Sequence, residues 1–212
     1  MGKFRSIETL SIDSTVLCCN FVNTVSTWKT AKNYDYFVTY DDFIEWCFKL
    51  EISRPEHLET LKELANEQPE EALIALHRIK EMRKILQRLI SAVAQDDNDK
   101  KLVYLPATNL LIVDAISRQR LLYVNGKFTM DQIDFTNDLV SPVWKAVHSL
   151  AELLTDHETK RIKECPMCGW VFLDETKNAS RKWCSIKACG TTDKMMRYNQ
   201  KKSLKLKKDG RG

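Results

Sequence analysis

The chain has 212 residues, of which 43% are hydrophobic and 29% are charged, as in an ordinary water-soluble globular protein. No apolar run approaches the roughly 20 residues that cross a bilayer, and the first residues lack the apolar stretch of a secretory signal, so we expect a cytoplasmic protein without a membrane partner. Residues 160–212 hold 15 Lys and Arg against 5 Asp and Glu, whereas the rest of the chain holds 18 against 24. A basic C-terminal module on an acidic body indicates that the module faces a polyanion such as nucleic acid.

The first hundred residues predict a series of helices. Thr39 and Asp42 have the spacing of a capping box, which predicts a short helix directly after them. Ser53 repeats this start signal and is expected to be the N-cap of a second helix. Beyond Pro69, apolar residues recur every three or four positions. This pattern predicts one long amphipathic helix, which stops in the polar stretch 96–99.

The next segments predict a hairpin between two helices. Residues 108–117 are expected to form a short helix. The dipeptide Asn125-Gly126 supplies the positive φ angles of a two-residue turn and lies between the strand-like segments 120–124 and 127–133, so it predicts a β-hairpin. Apolar residues from 139 to 154 then mark a helix that closes the larger domain. The fold class is therefore expected to be α+β, with a mainly helical N-terminal domain that carries a β-hairpin.

Seven cysteines divide into two groups. Cys18, Cys19 and Cys47 lie among apolar residues and are expected to be buried thiols that act as small hydrophobes. The other four fall within 25 residues of one another. An odd total with this clustering argues against a disulfide framework and favours a metal site in a reducing compartment. The four clustered cysteines are Cys165, Cys168, Cys184 and Cys189.

The spacing of the clustered cysteines predicts one structural zinc ion. Cys165 and Cys168 form a first close pair, and Cys184 and Cys189 form a second pair after fifteen intervening residues. A single CxxC pair would also suit a redox-active dithiol, but the second pair favours a metal. Four thiolates fill the tetrahedral coordination of zinc and leave no position for a reacting water, so the metal is expected to be structural. Gly169 would relieve crowding where the backbone turns beneath the metal.

The residues around the cysteines predict a treble-clef-like zinc module. Residues 170–173 suggest a strand and residues 181–183 a returning strand, so that a hairpin joins the two pairs of ligands. A helix capped by Thr191 or Thr192 would follow the last ligand. The expected organisation is then a helical domain over residues 1–158, a four-cysteine zinc finger over 159–202, and a basic, disordered tail over 203–212.

Several segments share their residues with a known family. From Cys165 the chain reads Cys-x-x-Cys-Gly-Trp-Val-Phe-Leu-Asp, and from Ser180 it reads Ser-Arg-Lys-Trp-Cys-Ser-Ile. A later Cys-Gly is followed by Lys194 and Arg197. This stretch resembles the CGNR zinc-finger family of bacterial transcription regulators. Upstream, Asn20-Phe-Val-Asn-Thr24 and the helix over 139–154 resemble its N-terminal ABATE domain, described as a stress-induced regulator.

The resemblance implies a DNA-binding transcription regulator in a bacterial cytoplasm. One departure lies in the signature itself, because Thr191-Thr192 stands where the family has Asn-Arg. Any phosphate or base contact of that arginine is therefore not carried over to this chain. From charge and position, duplex DNA is expected to contact seven basic residues, and phosphate neutralisation would dominate the affinity. These are Arg181, Lys182, Lys187, Lys194, Arg197, Lys201 and Lys202.

Two other classes of binding protein remain as alternatives. Zinc modules of this kind also serve as docking platforms, so a protein-interaction adaptor without sequence-specific DNA recognition is the second hypothesis. RNA is a third partner to consider, because Trp170, Trp183 and Tyr198 could stack on bases, although such aromatic residues more often pack the core of a small module. An enzyme is not expected, since the chain has no glycine-rich phosphate loop, no nucleophile elbow and no paired-histidine metal motif.

The larger domain is a candidate sensor of a small-molecule effector. Asn23, Thr24, Trp28 and Trp46 are the candidate residues of its ligand pocket, and the alternative is that they belong to the core. A homodimer through the long helix at 70–95 is also considered, with the alternative that the apolar stripe of this helix faces the core.

Overall fold

The computed structural model describes residues 5–156 and 158–209. This part of the chain is α+β and mainly helical, with two small two-stranded antiparallel sheets. A single 3-10 turn over Thr159–Arg161 and one turn of π-helix over Ile186–Gly190 complete the secondary structure. The helices and strands are α1 Leu17–Val22, α2 Tyr40–Lys49, α3 Pro55–Glu67, α4 Pro69–Ala94, α5 Asn98–Ser117, β1 Gln119–Val124, β2 Lys127–Gln132, α6 Val143–Asp156, β3 Ile162–Glu164, β4 Val171–Leu173 and α7 Thr191–Asp209.

The start of α2 was predicted correctly from the sequence, whereas the N-cap of α3 was not. The capping box of α2 is confirmed, because the Thr39 hydroxyl accepts a hydrogen bond from the Asp42 amide while the Asp42 carboxylate accepts one from the Thr39 amide. Helix α3 begins one residue later than predicted, with Arg54 as its N-cap. The predicted cap, Ser53, instead donates its hydroxyl to the carboxylate of Asp134, 3.4 Å away. A tertiary contact thus outweighs the local capping signal.

Helices α4 and α5 are joined by a short turn and pack against each other. Helix α4 has the predicted extent, and the polar stretch 96–99 ends it as expected. The same stretch also starts α5, because the Asp97 carboxylate accepts a hydrogen bond from the Lys100 amide at 3.1 Å. The predicted helix over 108–117 is therefore only the second half of α5, which runs continuously through Pro106. This polar stretch was predicted only as the end of α4, but Asp97 within it is also the N-cap that begins α5.

The predicted hairpin is confirmed, and the helix after it starts late. Strands β1 and β2 pair in antiparallel register around Asn125 and Gly126, whose φ angles of 51° and 80° are those of a two-residue turn. Helix α6 begins at Val143 and not at residue 139, because residues 138–142 form turns, in which the Ser141 amide donates to the Asp138 carbonyl at 2.8 Å.

One continuous hydrophobic core joins both predicted domains. Helix α4 lies at its centre and packs against α1, α2, α3, α5 and α6, and also against β3 and β4. Ile162, Val171 and Phe172 of the C-terminal module are buried in the same cluster of apolar side chains. Packing is therefore continuous across the predicted boundary at 158/159. Apart from Leu73, which is 69% exposed, the apolar stripe of α4 faces this core, which was the alternative to a dimer through residues 70–95.

The C-terminal module differs from the predicted topology. Strand β4 pairs with β3, which precedes the first cysteine pair, and residues 181–183 form no strand. The hairpin therefore frames the first pair and does not join the two pairs. Helix α7 continues to Asp209, where a disordered tail was predicted from residue 203, because the segment has no glycine or proline before Gly210. Residues 210–212 of that predicted tail lie outside the described residues. No helix in the described ranges is both long and apolar enough to span a bilayer.

Candidate metal centre

The sulfur atoms of the four clustered cysteines converge on one point. All four lie within 4.8 Å of one another. The Sγ atoms of Cys168 and Cys184 are 3.5 Å apart, and those of Cys184 and Cys189 are 3.6 Å apart. A tetrahedron with zinc–sulfur bonds of about 2.3 Å has sulfur–sulfur edges of about 3.8 Å. The sulfurs therefore enclose a volume of the size that one zinc ion fills.

The electrostatics of the cluster also call for a cation. Hydrogen bonding to the sulfurs of Cys165 and Cys168, followed by burial, raises the pKa of the Cys184 thiol well above its ordinary value, whereas hydrogen bonds with Cys168 and Cys184 lower the pKa of Cys165. A thiolate at Cys184 would be repelled by any other thiolate in the cluster. Four thiolates can therefore share this volume only when a metal ion neutralises them, and soft sulfur ligands favour zinc.

The β3–β4 hairpin presents the first pair of sulfurs. The Cys165 amide donates to the Trp170 carbonyl at 2.7 Å, and the Gly169 amide donates to the Cys165 carbonyl at 2.9 Å, so the chain folds back over the intervening residues. Gly169 has a φ of +77°, and a Cβ atom there would lie 2.9 Å from the Cβ of Trp28. The glycine is thus needed both for its backbone conformation and for the close approach of a neighbouring segment.

Asp174 and Arg181 shape the loop that brings Cys184 to the cluster. The buried Asp174 carboxylate accepts hydrogen bonds from the Lys163 ammonium at 2.7 Å and from the Arg181 amide at 2.8 Å, as well as two from Thr176. Burial opposes ionisation, but these donors outweigh it and hold the pKa of the Asp174 carboxyl below its usual range. The Arg181 guanidinium in turn donates to the carbonyl of Cys184 and stacks on the ring of Phe172, 4.4 Å from its centroid.

A turn of π-helix carries the last ligand into α7. The Ser185 hydroxyl accepts a hydrogen bond from the Ala188 amide at 3.3 Å and so caps this turn, in place of the predicted caps Thr191 and Thr192. Cys189 lies within the turn, and α7 begins two residues later.

An N-terminal segment, residues 23–28, ties the metal centre to the body. The Asn23 amide group donates to the Val171 carbonyl at 2.9 Å and accepts from the Val171 amide at 3.0 Å. Asn23 therefore completes the free edge of β4 as a third strand would. The backbone amide of Trp28 donates to the Cys168 carbonyl at 2.7 Å, and the Trp170 indole donates to the Val25 carbonyl at the same distance.

We expect Asn23→Leu to lower the free energy of unfolding by about 2–3 kcal/mol, because it leaves the buried amide and carbonyl of Val171 without partners. Zinc should also leave the variant faster than the wild type, as measured with a chromogenic chelator. Asn20→Leu is the matched control, since it removes only local hydrogen bonds with Ser14, whose carbonyl accepts from Asn20 at 2.9 Å and whose amide donates to it at 3.3 Å. Unchanged zinc release in Asn23→Leu would contradict the role given to Asn23.

The four residues predicted to line a pocket make hydrogen bonds or packing contacts within the protein. Asn23 bonds to β4 as described, and the Trp28 indole donates to the Val22 carbonyl at 2.9 Å. The Thr24 hydroxyl accepts a hydrogen bond from Arg83 at 2.7 Å. Trp46 is fully buried and packs against the rings of three phenylalanines. These contacts are those of core residues, which was the alternative to a pocket.

The sequence interpretation missed a buried ion pair beneath these residues. Arg83 of α4 is 1% exposed and makes two hydrogen bonds to the carboxylate of Asp35, at 2.9 and 2.5 Å. Its guanidinium also lies 5.3 Å from the centroid of the Phe37 ring. A signal was available, because Arg83 falls directly beside Met82 on the stripe of α4 that is otherwise apolar.

The seven basic residues predicted to contact DNA divide into two groups. Arg181 is half-buried, and its guanidinium donates to three backbone carbonyls, so it supports the metal centre from within. The other six are exposed, and most of them lie on the π-helical turn or on α7. Arg197 forms an ion pair with Asp193 at 2.6 Å. The exposed six are Lys182, Lys187, Lys194, Arg197, Lys201 and Lys202.

The three aromatic residues of the module have different environments. Trp170 is buried, and Trp183 is half-buried against the core, as expected for packing residues. Tyr198 is 67% exposed on α7, so the packing interpretation is wrong for this residue.

Comparison with known proteins supports the zinc assignment. Residues 161–202 match the family model described as the CGNR zinc finger. A search of curated proteins found no match. The family match covers all four cysteines together with the hairpin and the start of α7, and their sulfurs have the geometry of a zinc site. The four cysteines therefore bind one structural zinc ion. The resemblance of the first 158 residues to the ABATE domain stays a prediction.

Proposed function

We propose that the chain is a bacterial DNA-binding transcription regulator whose zinc module presents α7 to duplex DNA. The observation that carries the proposal is the exposure of α7. Every residue of this helix from Thr192 to Lys202 is exposed except Asp193, and among the helices and strands it packs chiefly against the π-helical turn before it. The helix thus projects from the body, and its base is fixed by the metal.

The charge on this projection suits a polyanion. Lys187, Lys194, Lys201 and Lys202 are exposed along the π-helical turn and α7, where they can neutralise phosphates and release counterions. Lys182 extends the basic surface towards a groove between α4 and the zinc module, which Lys160 also lines. The body outside this module is acidic, so a duplex would be drawn to the module alone.

Thr191 and Thr192, which stand where the family has Asn-Arg, determine the kind of DNA contact that we propose. The Thr191 hydroxyl donates to the Ile186 carbonyl at 3.3 Å, and the Thr192 hydroxyl donates to the Ala188 carbonyl at 3.0 Å. Both side chains therefore support the start of α7 and do not replace a guanidinium. Contact with phosphates by lysine is accordingly proposed to dominate, with base recognition left to residues further along α7.

The proposal extends to compartment, chemistry and regulation. None of the seven cysteines forms a disulfide bond, which is compatible with the reducing cytoplasm that we propose as the compartment. The zinc has four thiolate ligands, which leaves no coordination position for a reacting water, so no catalytic activity is assigned. The helical body is assigned the role of an ABATE-like regulatory domain.

The test is a salt titration of DNA binding by the full chain, followed by fluorescence anisotropy of a labelled duplex. We expect the logarithm of the association constant to fall linearly with the logarithm of the salt concentration. The double variant Lys194→Glu with Lys201→Glu should weaken binding at least about tenfold. It should also make that slope shallower, by the amount that corresponds to the loss of about two phosphate contacts. The matched control makes the same charge change on the body, with Lys32→Glu and Lys62→Glu, which are also exposed. Equal binding by both pairs, or none by the wild type, would refute the proposal.

The second candidate function is a zinc-stabilised protein adaptor or RNA binder. It is favoured by the exposed apolar side chains on the same projection, namely those of Ile186, Met195, Met196 and Tyr198. Met195→Glu should abolish capture of a protein partner while it leaves the salt slope for DNA unchanged. Preferential competition by single-stranded RNA, lost in Tyr198→Ala, would instead indicate stacking on bases.

A further inference from the structure

A β-arm, the hairpin of β1 and β2, leaves its apolar face uncovered. Leu121 pairs with Met130 across the strands, and Tyr123 pairs with Phe128, so all four side chains point to one side of the hairpin. These four residues, the arm face, are 54–72% exposed. The opposite side carries all the charged residues of the hairpin, Arg120, Lys127 and Asp131, together with Thr129, Leu122 and Val124. An amphipathic hairpin of two strands has little stability of its own in water and needs its apolar face covered.

Helix α5 carries a second uncovered apolar surface. Its buried residues, Thr108 and Ala115, face the core, and α5 packs there against α4 and α6. The outer side is also apolar and 55–73% exposed. A helix that is apolar on all sides is normally covered on all sides. The residues of this α5 stripe are Leu102, Val103, Leu110, Val113 and Ile116.

We propose that the chain forms a twofold symmetric dimer in which the arm face of each copy packs on the α5 stripe of the other. Each of the two surfaces offers about 600 Å² of apolar area, so a reciprocal contact would bury on the order of 1,200 Å² per chain. A stable interface needs about 800 Å² per partner. The two surfaces are thus matched to each other and together exceed the requirement.

Charge supports a second copy as the occupant. Between Leu102 and Ser117 the chain has a single charged residue, Asp114, and Asp114 lies 4.0 Å from Arg118 of the same chain. The arm face has no charged residue. Neither surface suits a polyanion or a charged peptide, whereas each suits the other. One isologous contact covers both surfaces at once, and large exposed apolar patches on soluble proteins mark such interfaces. The proposal does not rest on DNA binding.

The mass of the full chain in solution tests the proposal, measured by light scattering after size-exclusion chromatography. We expect a dimer of twice 24.7 kDa. Phe128→Lys in the arm face and Leu110→Glu in the α5 stripe should each weaken dimerisation at least about tenfold. Thr129→Lys, on the opposite side of the arm, is the matched control and should remain dimeric. All these residues are exposed, so the zinc content and the far-ultraviolet circular dichroism should not change, whereas the two variants that lose the dimer should melt at a lower temperature.

A mixture of the two variants distinguishes reciprocal exchange from other dimers. In a mixed dimer, one arm and one stripe are both native, and in the other contact the introduced lysine meets the introduced glutamate. The mixture should therefore dimerise although neither variant does alone. A monomeric wild type, a dimer that survives both substitutions, or a mixture that stays monomeric would each overturn the proposal. So would a monomer that sediments with phospholipid vesicles, since a membrane would then be the occupant.

Discussion

Removal of the zinc ion, by chelation or by Cys184→Ala, is expected to unfold the C-terminal module and to destabilise the whole chain. Apparent binding energies of structural zinc in small modules reach about 10–16 kcal/mol, and much of that energy is folding energy. Within the described residues, the module has two three-residue strands and the exposed helix α7, and its buried side chains belong to the same core as those of the body. Without metal, the cluster would also hold four crowded thiols. We expect the free energy of unfolding to fall by on the order of 5 kcal/mol or more.

The loss should extend to the body because the core is shared. Val171 bonds to Asn23, and the Trp170 indole bonds to Val25, so unfolding of the hairpin exposes polar groups and apolar side chains next to α1 and α4. Calorimetry should therefore show one transition at a lower temperature, and tryptophan fluorescence should shift to the red as Trp170 becomes exposed.

Cys47→Ala separates the metal from the loss of a buried thiol. Cys47 is fully buried in α2, away from the cluster, so its replacement removes packing but should leave one zinc ion per chain. Zinc content by mass spectrometry checks both variants. One zinc per chain together with an unchanged melting temperature in Cys184→Ala would contradict the role of the metal.

The sequence predicted those features that depend on local chemistry. The cysteine spacing indicated the zinc ligands, Asn125-Gly126 indicated the hairpin, and Thr39 with Asp42 indicated the start of α2. In each case a few neighbouring residues determine the geometry through ligand reach, positive φ angles or a reciprocal cap. No distant partner is needed to specify them.

Features that depend on distant partners were not predictable in the same way. The interpretation of Asn23 as a pocket residue failed to anticipate its bonds to Val171, 148 positions along the chain. The returning strand predicted at 181–183 does not form, because Asp174 holds the Arg181 amide and β3 already pairs with β4. A buried carboxylate or amide acts through whichever backbone groups the fold brings to it, and the local sequence does not specify these.

Asp35→Ala is expected to lower the free energy of unfolding by about 3 kcal/mol, because it leaves the buried Arg83 guanidinium without its counterion. Arg83 is 1% exposed and cannot reach water easily. Lys80 also lies 3.7 Å from the Asp35 carboxylate, so the substitution leaves two cations facing each other. The expected loss of stability lies at the lower end of the range for buried ion pairs, because the Asp35 side chain is 31% exposed.

The double variant Asp35→Ala with Arg83→Met distinguishes a stabilising pair from one that only satisfies a buried charge. Methionine removes the charge, so the double variant should recover at least half of the loss seen in Asp35→Ala alone, measured by urea unfolding. Glu81→Ala is the matched control on the same helix, because its partner Lys84 is about half exposed, and it should cost less than about 0.5 kcal/mol. If the losses of Asp35→Ala and Arg83→Met simply add, the two side chains do not interact energetically. If the double variant recovers as expected, Asp35 acts mainly by neutralising the buried Arg83 guanidinium, next to the segment through which Asn23 and Trp28 hold the zinc centre.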